Sequence, residues 1–581
     1  MISRHITHPQ MRVLLATVLL CASEASAKEP ARIEKLTVIG INDVHGALLE
    51  APAHKALARF TVEPVGGVDW FAGWVAAIRS EARGHRGEAI VIDGGDEFQG
   101  TLISNQFEGR SVVEVFNRIG VTAAAVGNHE FDFGLASLGQ RFAQASYPFL
   151  SANVFEKGTR KRPPWARPSV LLTVGGVQVG IVGLTTVETH TSTNPAIIAN
   201  LDFLPGGPFA AQEADSLRAR GATVVLLVAH IGPLPPAGEI QEVAEAVRGK
   251  VDAIVSGHNH TEIGPPPLVA AGIPIVQSGS RLAAFSIIEI AIDPATGRAA
   301  GFAVNEGTYP RPGGPQPIFH TFEGAPATWR GHKVQPDGAV SALVAKYDKQ
   351  VKTLREAPVG ETLVELRKSG KDGSLGNLVA DALRSGAGGS LKADFALTNS
   401  GGLRIEEVPA GPIAFGTLFD LYPFDNRQVV VTLHPAELRD ALEAVLRARK
   451  RPLYVSGLRY TIDWDRFSAG RDVRSVPAGA LVTTLSDASG KLLCSTRTCT
   501  AAVCDTVCDP GAYTVSTSDF LANGGDGVVL PAAARKVTGP VLTRDIVVSY
   551  VKEHSPITAE LVGGGSPRIT VVGRRERQEA Q

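Results

Sequence analysis

The sequence predicts an α/β fold for the first half of the chain and an α+β fold for the second half. The chain has 581 residues, and one hydrophobic core rarely extends beyond about 300 residues, so two large domains are expected. In the first half, short β-branched runs alternate with amphipathic segments, which is typical of a sheet covered by helices. In the second half, clear helices are mixed with short strands that glycine and proline separate, which indicates a less regular arrangement.

Each element is predicted from its own pattern of apolar residues. Runs rich in valine, isoleucine and alanine predict strands at 35–41, 89–92, 122–126, 223–229, 252–256 and 285–292. Amphipathic segments predict helices between several of them, at 68–83, 111–119, 209–220 and 240–247. Two further runs, 170–174 and 177–182, flank a Gly-Gly pair and predict a hairpin. Beyond them, helices are predicted at 339–356, 375–384 and 435–447.

The amino-terminal residues predict export. Arg12 precedes an apolar run at 13–20, and small residues lead to a cleavage site after Ala27, so residues 1–27 are interpreted as a signal peptide. We expect the mature protein in the periplasm. Lipid anchoring at Cys21 is not expected, because the bulky Leu directly precedes it. No later stretch reaches 18 apolar residues, so no transmembrane segment is predicted.

The remaining cysteines lie together in one short stretch of the second half. They are Cys494, Cys499, Cys504 and Cys508. An even number of clustered cysteines predicts local disulfides in an oxidising compartment, although three pairings are open. A four-thiolate zinc site is the alternative, which the absence of paired C-x₂-C spacing disfavours.

The charge balance argues against a nucleic-acid polymer as the partner. Lys and Arg number 57, Asp and Glu number 58, and the formal net charge is −1. Proteins that bind nucleic acid normally carry a basic surplus for the phosphates. A small anionic ligand needs only a local patch of positive charge.

Polar side chains follow five of the predicted strands. In chain order they are Asp43, His45, Asp96, Asn128, His230, His258 and His260. In open α/β sheets, ligands bind at the carboxyl ends of the strands. A single Asp after a strand is usually a turn residue, but this series offers seven oxygen and nitrogen donors and no sulfur. Because seven donors are too many for one ion with open positions, we predict two divalent ions, Zn²⁺ or Mn²⁺.

The motifs that contain these donors resemble the calcineurin-like metallophosphoesterase superfamily. They are D-x-H, G-G-D-x-x-x-G, G-N-H-E-F-D and G-H-x-H, and G-N-H-E-F-D resembles the 5′-nucleotidase branch. The resemblance implies a four-layer α/β/β/α sandwich. It also implies that Asp96 bridges two metals, one bound further by Asp43, His45 and His260, the other by Asn128, His230 and His258.

The same resemblance assigns catalytic roles to His129 and Asp132. Asp132 would orient an imidazolium of His129, which stabilises the phosphoryl transition state near the leaving oxygen. A metal-bound water would attack phosphorus in line. The alternative for Asp132 is a helix cap before residue 134.

Four motifs of the second half resemble 5′-nucleotidase C-terminal domains. They are L-G-N-L-V-A-D-A at 375–382, N-S-G-G-L-R at 399–404, F-D-L-Y-P-F-D-N at 419–426 and D-F-L-A-N-G-G-D-G at 519–527. The resemblance implies a nucleotide site formed by Lys371, Asn399, Arg404, Tyr454, Phe520 and Asp526.

Within that site, each side chain matches one part of a nucleotide. Phe520 and Tyr454 would stack on the base, although core packing is the commoner reason for a single aromatic. Asp526 would accept from ribose hydroxyls, and Arg404 would face the phosphates. Lys371 stands where the family often has Arg, and a lysine binds phosphate as a point charge without the bidentate fork.

These observations divide the chain and predict its activity. The predicted parts are a signal peptide (1–27), a metallophosphoesterase domain (28–336), a connecting helix (337–358), a 5′-nucleotidase C-terminal domain (359–573) and a tail (574–581). The predicted function is the release of phosphate from nucleoside 5′-monophosphates. Catalysis is expected to require the two domains to close on each other. The sequence does not predict the oligomeric state, the native metal or the preferred base.

Several other functions fit the same framework. A UDP-sugar hydrolase or a 2′,3′-cyclic-nucleotide 2′-phosphodiesterase differs only in the ester. A thiosulfohydrolase shares the two-domain plan, but Phe520 and Asp526 argue against it. A non-catalytic periplasmic binding protein would normally have lost a ligand or the dyad, and every position here has competent chemistry.

Overall fold

The computed structural model describes residues 32–573 without 53–56, 58–59, 234–237, 369–371, 466–475, 501 and 564–566. The predicted signal peptide, Cys21, Lys371 and the tail from 574 therefore lie outside the described residues. Among the helices of the described residues, none combines the length and apolar character that crossing a membrane requires.

Two mixed sheets form the centre of the first half. The first sheet has the spatial order Ala299–Val304, Ala284–Ile292, Lys35–Ile41, Gly87–Asp93, Val121–Ala125 and Phe149–Leu150, and Gln316–Pro317 pairs with its second strand. The second sheet has the order Leu268–Ala270, Ile273–Val276, Ala253–Ser256, Val224–His230, Val177–Thr185 and Ser169–Val174. All six predicted strands are present. The predicted hairpin is also confirmed, because Ser169–Val174 pairs antiparallel with Val177–Thr185.

The strands alternate between two hydrophobic clusters because successive side chains point to opposite faces of a sheet. In the first strand, Leu36 and Val38 pack between the two sheets, whereas Ile39 and Ile41 pack under the helices of the outer face. The strand Val224–His230 divides in the same way between the centre and the other outer face. Both sheets are therefore buried on two sides, which explains their nearly continuous apolar runs.

Helices cover the two outer faces and complete four layers. Val68–Gly84, Leu102–Asn105, Arg110–Ile119, Gly134–Gln144 and Gly338–Arg355 lie on the side of the first sheet, and Gly207–Ala219 and Glu239–Ala246 cover the second sheet. The helix Gly338–Arg355 buries Val340, Val344, Tyr347 and Val351 in the core of the first half. The predicted four-layer α/β/β/α sandwich is confirmed.

The second half has its own core between two five-stranded sheets and their helices. The first sheet has the order Tyr454–Ser456, Phe395–Thr398, Tyr513–Ser518, Arg427–Leu433 and Lys536–Leu542. The second has the order Cys504–Cys508, Leu492–Cys499, Val482–Asp487, Leu458–Asp463 and Ile569–Val572. The main helices are Ser374–Ser385, Phe415–Leu421, Pro435–Arg449 and Thr543–His554. This is the predicted α+β arrangement.

The four clustered cysteines form two disulfides in one hairpin. Cys494 is bonded to Cys508, and Cys499 to Cys504. Each pair joins residues that lie opposite each other on the strands Leu492–Cys499 and Cys504–Cys508. The prediction of local disulfides is confirmed, and the strand register decides the pairing that the sequence left open.

Candidate active site

The seven predicted metal donors converge at the carboxyl ends of the strands. Asp43, His45 and His260 form one group whose donor atoms lie within 4.8 Å of one another, and Asp43, Asp96 and His230 form a second. Asp43 belongs to both groups. Asp96 Oδ2 lies 3.1 Å from His230 Nε2 and 3.9 Å from His45 Nε2, so it is close to a histidine of each group. Asn128 Oδ1 lies 3.1 Å from His230 Nε2 and 3.0 Å from His258 Nδ1.

Backbone carbonyls orient the two most buried histidines. The Nδ1 of His45 lies 2.8 Å from the carbonyl oxygen of Gln99, and the Nδ1 of His230 lies 2.8 Å from that of Gly94. A carbonyl can only accept, so Nδ1 carries a proton in both rings, and Nε2 is the ring atom that faces the carboxylates and could bind a metal. This arrangement fits divalent ions, because oriented Nε2 and carboxylate oxygens are the donors that such ions prefer.

Five of the seven donors have a left-handed backbone conformation. Their φ angles are 50° for Asp43, 49° for His45, 60° for Asp96, 84° for His258 and 58° for His260. Such angles are uncommon outside glycine and cost about 1–3 kcal/mol each, and they concentrate at functional sites. These backbone conformations therefore lower the stability of the fold, and they turn the five side chains toward one point.

The loops approach so closely that larger residues would not fit between them. A Cβ on Gly127 would lie 2.2 Å from Asp96 Oδ1, and one on Gly95 would lie 2.9 Å from His230 Nδ1. Asp93 is not one of the donors. Its Oδ1 accepts from the backbone N–H of Gly95 at 2.9 Å, so it stabilises the turn that follows its strand.

Glu130 supports the donors, and the sequence analysis missed it. Its carboxylate accepts from the backbone N–H groups of Gly127, Asp96 and Glu97 at 2.7–2.9 Å, so it ties two donor loops together. Burial raises the pKa of Glu130 to about 7. The available signal was its position inside G-N-H-E-F-D, directly after His129.

The predicted dyad is formed at the edge of the donor cluster. His129 Nδ1 lies 2.7 Å from Asp132 Oδ2, and the ring centroids of His129 and His45 are 5.3 Å apart. Burial lowers the pKa of His129, but the carboxylates of Asp132 and Asp96 outweigh it, and the pKa lies above its ordinary value of 6.5. The protonated imidazolium is therefore favoured at this position.

The second half contributes side chains to the same place. Arg404 Nη2 donates to His45 Nε2 at 2.8 Å, so its guanidinium lies directly against the donors. The Phe424 ring lies 5.6 Å from the His129 ring and 5.8 Å from the Arg404 guanidinium carbon. Phe424 was not predicted as a site residue, although it belongs to the motif at 419–426.

Asn399 and Asp526 are also joined to this interface. Asn399 Nδ2 donates to Asp526 Oδ2 at 2.6 Å, and Arg449 Nε donates to Asp526 Oδ1 at 3.1 Å. Arg449 also contacts Glu188, whose carboxylate bonds His258. A continuous chain of polar contacts therefore links the predicted ribose carboxylate to a predicted metal donor.

The two predicted stacking residues differ in their surroundings. Phe520 is partly buried, and its ring lies against Gly525. Tyr454 is 6% exposed within the core of the second half. Its ring packs on Gly376, and its hydroxyl donates to the carbonyl of Lys368 at 2.7 Å.

Comparison with protein families identifies the two parts of the chain that form this site. Residues 36–262 match the family described as calcineurin-like phosphoesterase, and residues 351–535 match the 5′-nucleotidase C-terminal domain. The chain belongs to the 5′-nucleotidase family. It is therefore a metal-dependent hydrolase, and its phosphoesterase domain implies divalent metal ions.

Individual 5′-nucleotidases and related proteins resemble the chain along most of its length. A snake venom 5′-nucleotidase from Gloydius brevicauda is 27% identical over 594 residues, covering 96% of this chain and 92% of the relative. The endonuclease YhcR of Bacillus subtilis is 25% identical over 452 residues; the match covers 74% of this chain but only 34% of that longer protein.

Solved structures agree with this family membership. The crystal structure of a 5′-nucleotidase precursor from Thermus thermophilus aligns with a TM-score of 0.72 and 26% identity, over 93% of this chain and 100% of the other. The sulfate thiohydrolase SoxB of Thermus thermophilus aligns with a TM-score of 0.69 over 93% of this chain and 97% of the other. Its identity of 17% shows a shared fold alone.

Proposed function

We propose that this chain is an exported phosphohydrolase that uses two divalent metal ions to release phosphate from nucleoside 5′-monophosphates. The observation that carries the proposal is the meeting of two sets of residues at one interface. The metal donors and His129 come from the first half, and Arg404, with its guanidinium 2.8 Å from His45, comes from the second half. A phosphate at the donors would therefore lie beside a nucleoside held by the second half.

The donor sets proposed for the two ions share Asp96. One set is completed by Asp43, His45 and His260, and the other by Asn128, His230 and His258. When bound, two ions supply Lewis-acid chemistry, since they neutralise charge on phosphate oxygens and make water a better nucleophile. The position of Asp96 between His45 and His230 supports the shared role.

His129 is proposed to stabilise the charge that develops on phosphate and on the leaving oxygen. Its Nδ1–H is held by Asp132, so the opposite edge of the ring is free to donate from Nε2. The raised pKa of His129 favours the protonated ring that this role requires. A donor fixed in place before the reaction costs no reorganisation during it.

The residues of the second half are proposed to bind the substrate. Arg404 faces the phosphate, and Asp526 and Asn399 take the nucleoside. Phe520 is proposed to stack on the base, and Lys371 to add positive charge. Tyr454 keeps its proposed stacking role only through the part of its ring that the core leaves exposed.

Export and the division of the chain belong to the same proposal. The two disulfides support an oxidising compartment, and residues 1–27 would direct the protein to the periplasm. The proposed domains are 28–336 and 359–573, joined through 337–358. Separate hydrophobic cores in the two halves support the division.

The test is phosphate release from the mature protein with Mn²⁺ or Zn²⁺. The substrates are AMP, UDP-glucose, 2′,3′-cyclic AMP and bis(p-nitrophenyl) phosphate, and His129→Ala is the control. We expect metal-dependent release from AMP that the variant loses. Activity on UDP-glucose or cyclic AMP alone would replace the nucleoside monophosphate by that ester as the substrate. Failure on every ester would refute the proposed function.

A further inference from the structure

Arg449 makes three hydrogen bonds, two to the first half and one within the second half. It is the last residue of the helix Pro435–Arg449, and its guanidinium crosses into the first half. Nη1 donates to Glu188 Oε2 at 2.6 Å, Nη2 to Thr191 Oγ1 at 3.2 Å and Nε to Asp526 Oδ1 at 3.1 Å. Three nitrogen atoms of one rigid guanidinium group therefore donate hydrogen bonds to partners from both halves.

Glu188 is the point at which this contact reaches the metal donors. The same oxygen that accepts from Arg449, Oε2, lies 3.2 Å from Nε2 of His258. The other ring nitrogen of His258, Nδ1, faces Asn128. Glu188 therefore holds the outer edge of a ring whose inner edge faces the site.

Asp526 is fixed at both oxygens on the other side of Arg449. Asn399 donates to Oδ2 and Arg449 donates to Oδ1. The backbone of Asp526 is left-handed, with φ 52°. Its carboxylate therefore has one orientation as long as Arg449 stays in place, and each oxygen keeps a lone pair for a further donor.

We propose that Arg449 is a positioning residue that couples the contact between the halves to the orientation of His258, through Glu188. The inference deepens the proposed function, because it takes His258 as a metal donor and Asp526 as the nucleoside carboxylate. Partners that orient metal-binding histidines typically change metal affinity by about 10- to 100-fold. Because Arg449 holds Glu188, the orientation of Glu188 depends on the position of the second half.

The test is the Mn²⁺ dissociation constant of the metal-stripped full-length chain without nucleotide. Wild type is compared with Glu188→Gln, Arg449→Gln and the double variant. We expect Glu188→Gln to weaken binding by about tenfold and Arg449→Gln by about fivefold. The double variant should bind no more weakly than Glu188→Gln, because Arg449 acts through Glu188.

A matched control separates positioning from a general effect on the interface. Arg281 also reaches across the halves, with Nη2 3.8 Å from Asp420. Its backbone N–H donates to the carbonyl of Asp43 at 2.7 Å, and a Gln variant keeps this bond while it removes the side-chain contact. Arg281→Gln should leave the Mn²⁺ constant within about twofold of wild type. Arg449→Lys, which keeps the charge without the fork, should restore part of the affinity and confirm that the chain folds.

Two results would overturn the inference. One is Mn²⁺ binding by Arg449→Gln equal to wild type, and the other is multiplication of the two single effects in the double variant. As a second readout, Arg449→Gln should raise the KM for AMP more than the KM for p-nitrophenyl phosphate, which has no ribose. Mn²⁺ binding is measured without nucleotide. Failure to hydrolyse AMP would therefore refute the proposed function, but the Mn²⁺ dissociation constants would still test the role of Arg449.

Discussion

The two halves bring polar side chains to their common interface in different ways. In the first half, the donors follow strands of a doubly covered sandwich, and their side chains range from the fully buried Asp43 and His230 to His260, which is 33% exposed. In the second half, Asn399, Arg404 and Asp526 lie in loops or short turns, and the Asp526 side chain is 16% exposed.

This difference separates the chemistry from the choice of substrate. Donors at strand ends are held by backbone hydrogen bonds and close packing, which gives the geometry that metal chemistry requires. Loop residues can change without disturbing the core. We therefore expect substitutions in the first half to abolish turnover of every substrate, and substitutions in the second half to discriminate between substrates.

The largest effect should come from Asp96, whose carboxylate lies near a histidine of each donor group. Asp96→Asn should reduce activity by about a thousandfold or more on every ester, because both proposed metal sets lose one charge. Elemental analysis of the purified protein should show reduced metal content. Full metal content with normal turnover would contradict the role of Asp96.

The dyad should have the next largest effect. His129→Ala should lower kcat by about 10²- to 10⁴-fold while metal content stays unchanged. In Asp132→Asn, loss of a carboxylate that raises the pKa of His129 should lower that pKa. The imidazolium would then be lost at lower pH, so the alkaline limb of the kcat profile should move toward acid; a limb that stays in place would show that His129 does not set it.

A substitution at Asp526 should change the substrate preference and leave the chemistry intact. Asp526→Asn suits the left-handed backbone, since Asn tolerates positive φ. Loss of a charged hydrogen-bond partner costs about 1.5–3 kcal/mol, so the KM for AMP should rise by about 10- to 100-fold. Turnover of p-nitrophenyl phosphate should not change, and an equal loss on both substrates would break the division between the halves.

The disulfide hairpin should have the smallest effect on activity. Replacing Cys499 and Cys504 together by Ala should lower the free energy of unfolding by about 2 kcal/mol, as expected for a short closed loop. Urea unfolding would measure this loss. The kcat for AMP should stay within about twofold of wild type, because the hairpin belongs to the outer edge of a sheet of the second half.

The sequence predicted the elements that are defined by local patterns. Strand and helix periods predicted six strands of the first half and the hairpin, with bounds that differ from the structure by at most three residues. The order of polar residues after the strands also predicted that Asp43, Asp96 and His230 would meet. These features repeat over a few residues, so they can be read without knowing the fold.

The tertiary structure decided the features that depend on how strands pair and how separate segments pack. It turned the donors through left-handed backbone, placed Glu130 beneath two loops, and brought Phe424 beside His129. It also selected the disulfide pairing through strand register and set Arg449 against Glu188. No local pattern encodes these contacts, because each forms only when separately folded elements pack against each other and leave a single arrangement for the side chains.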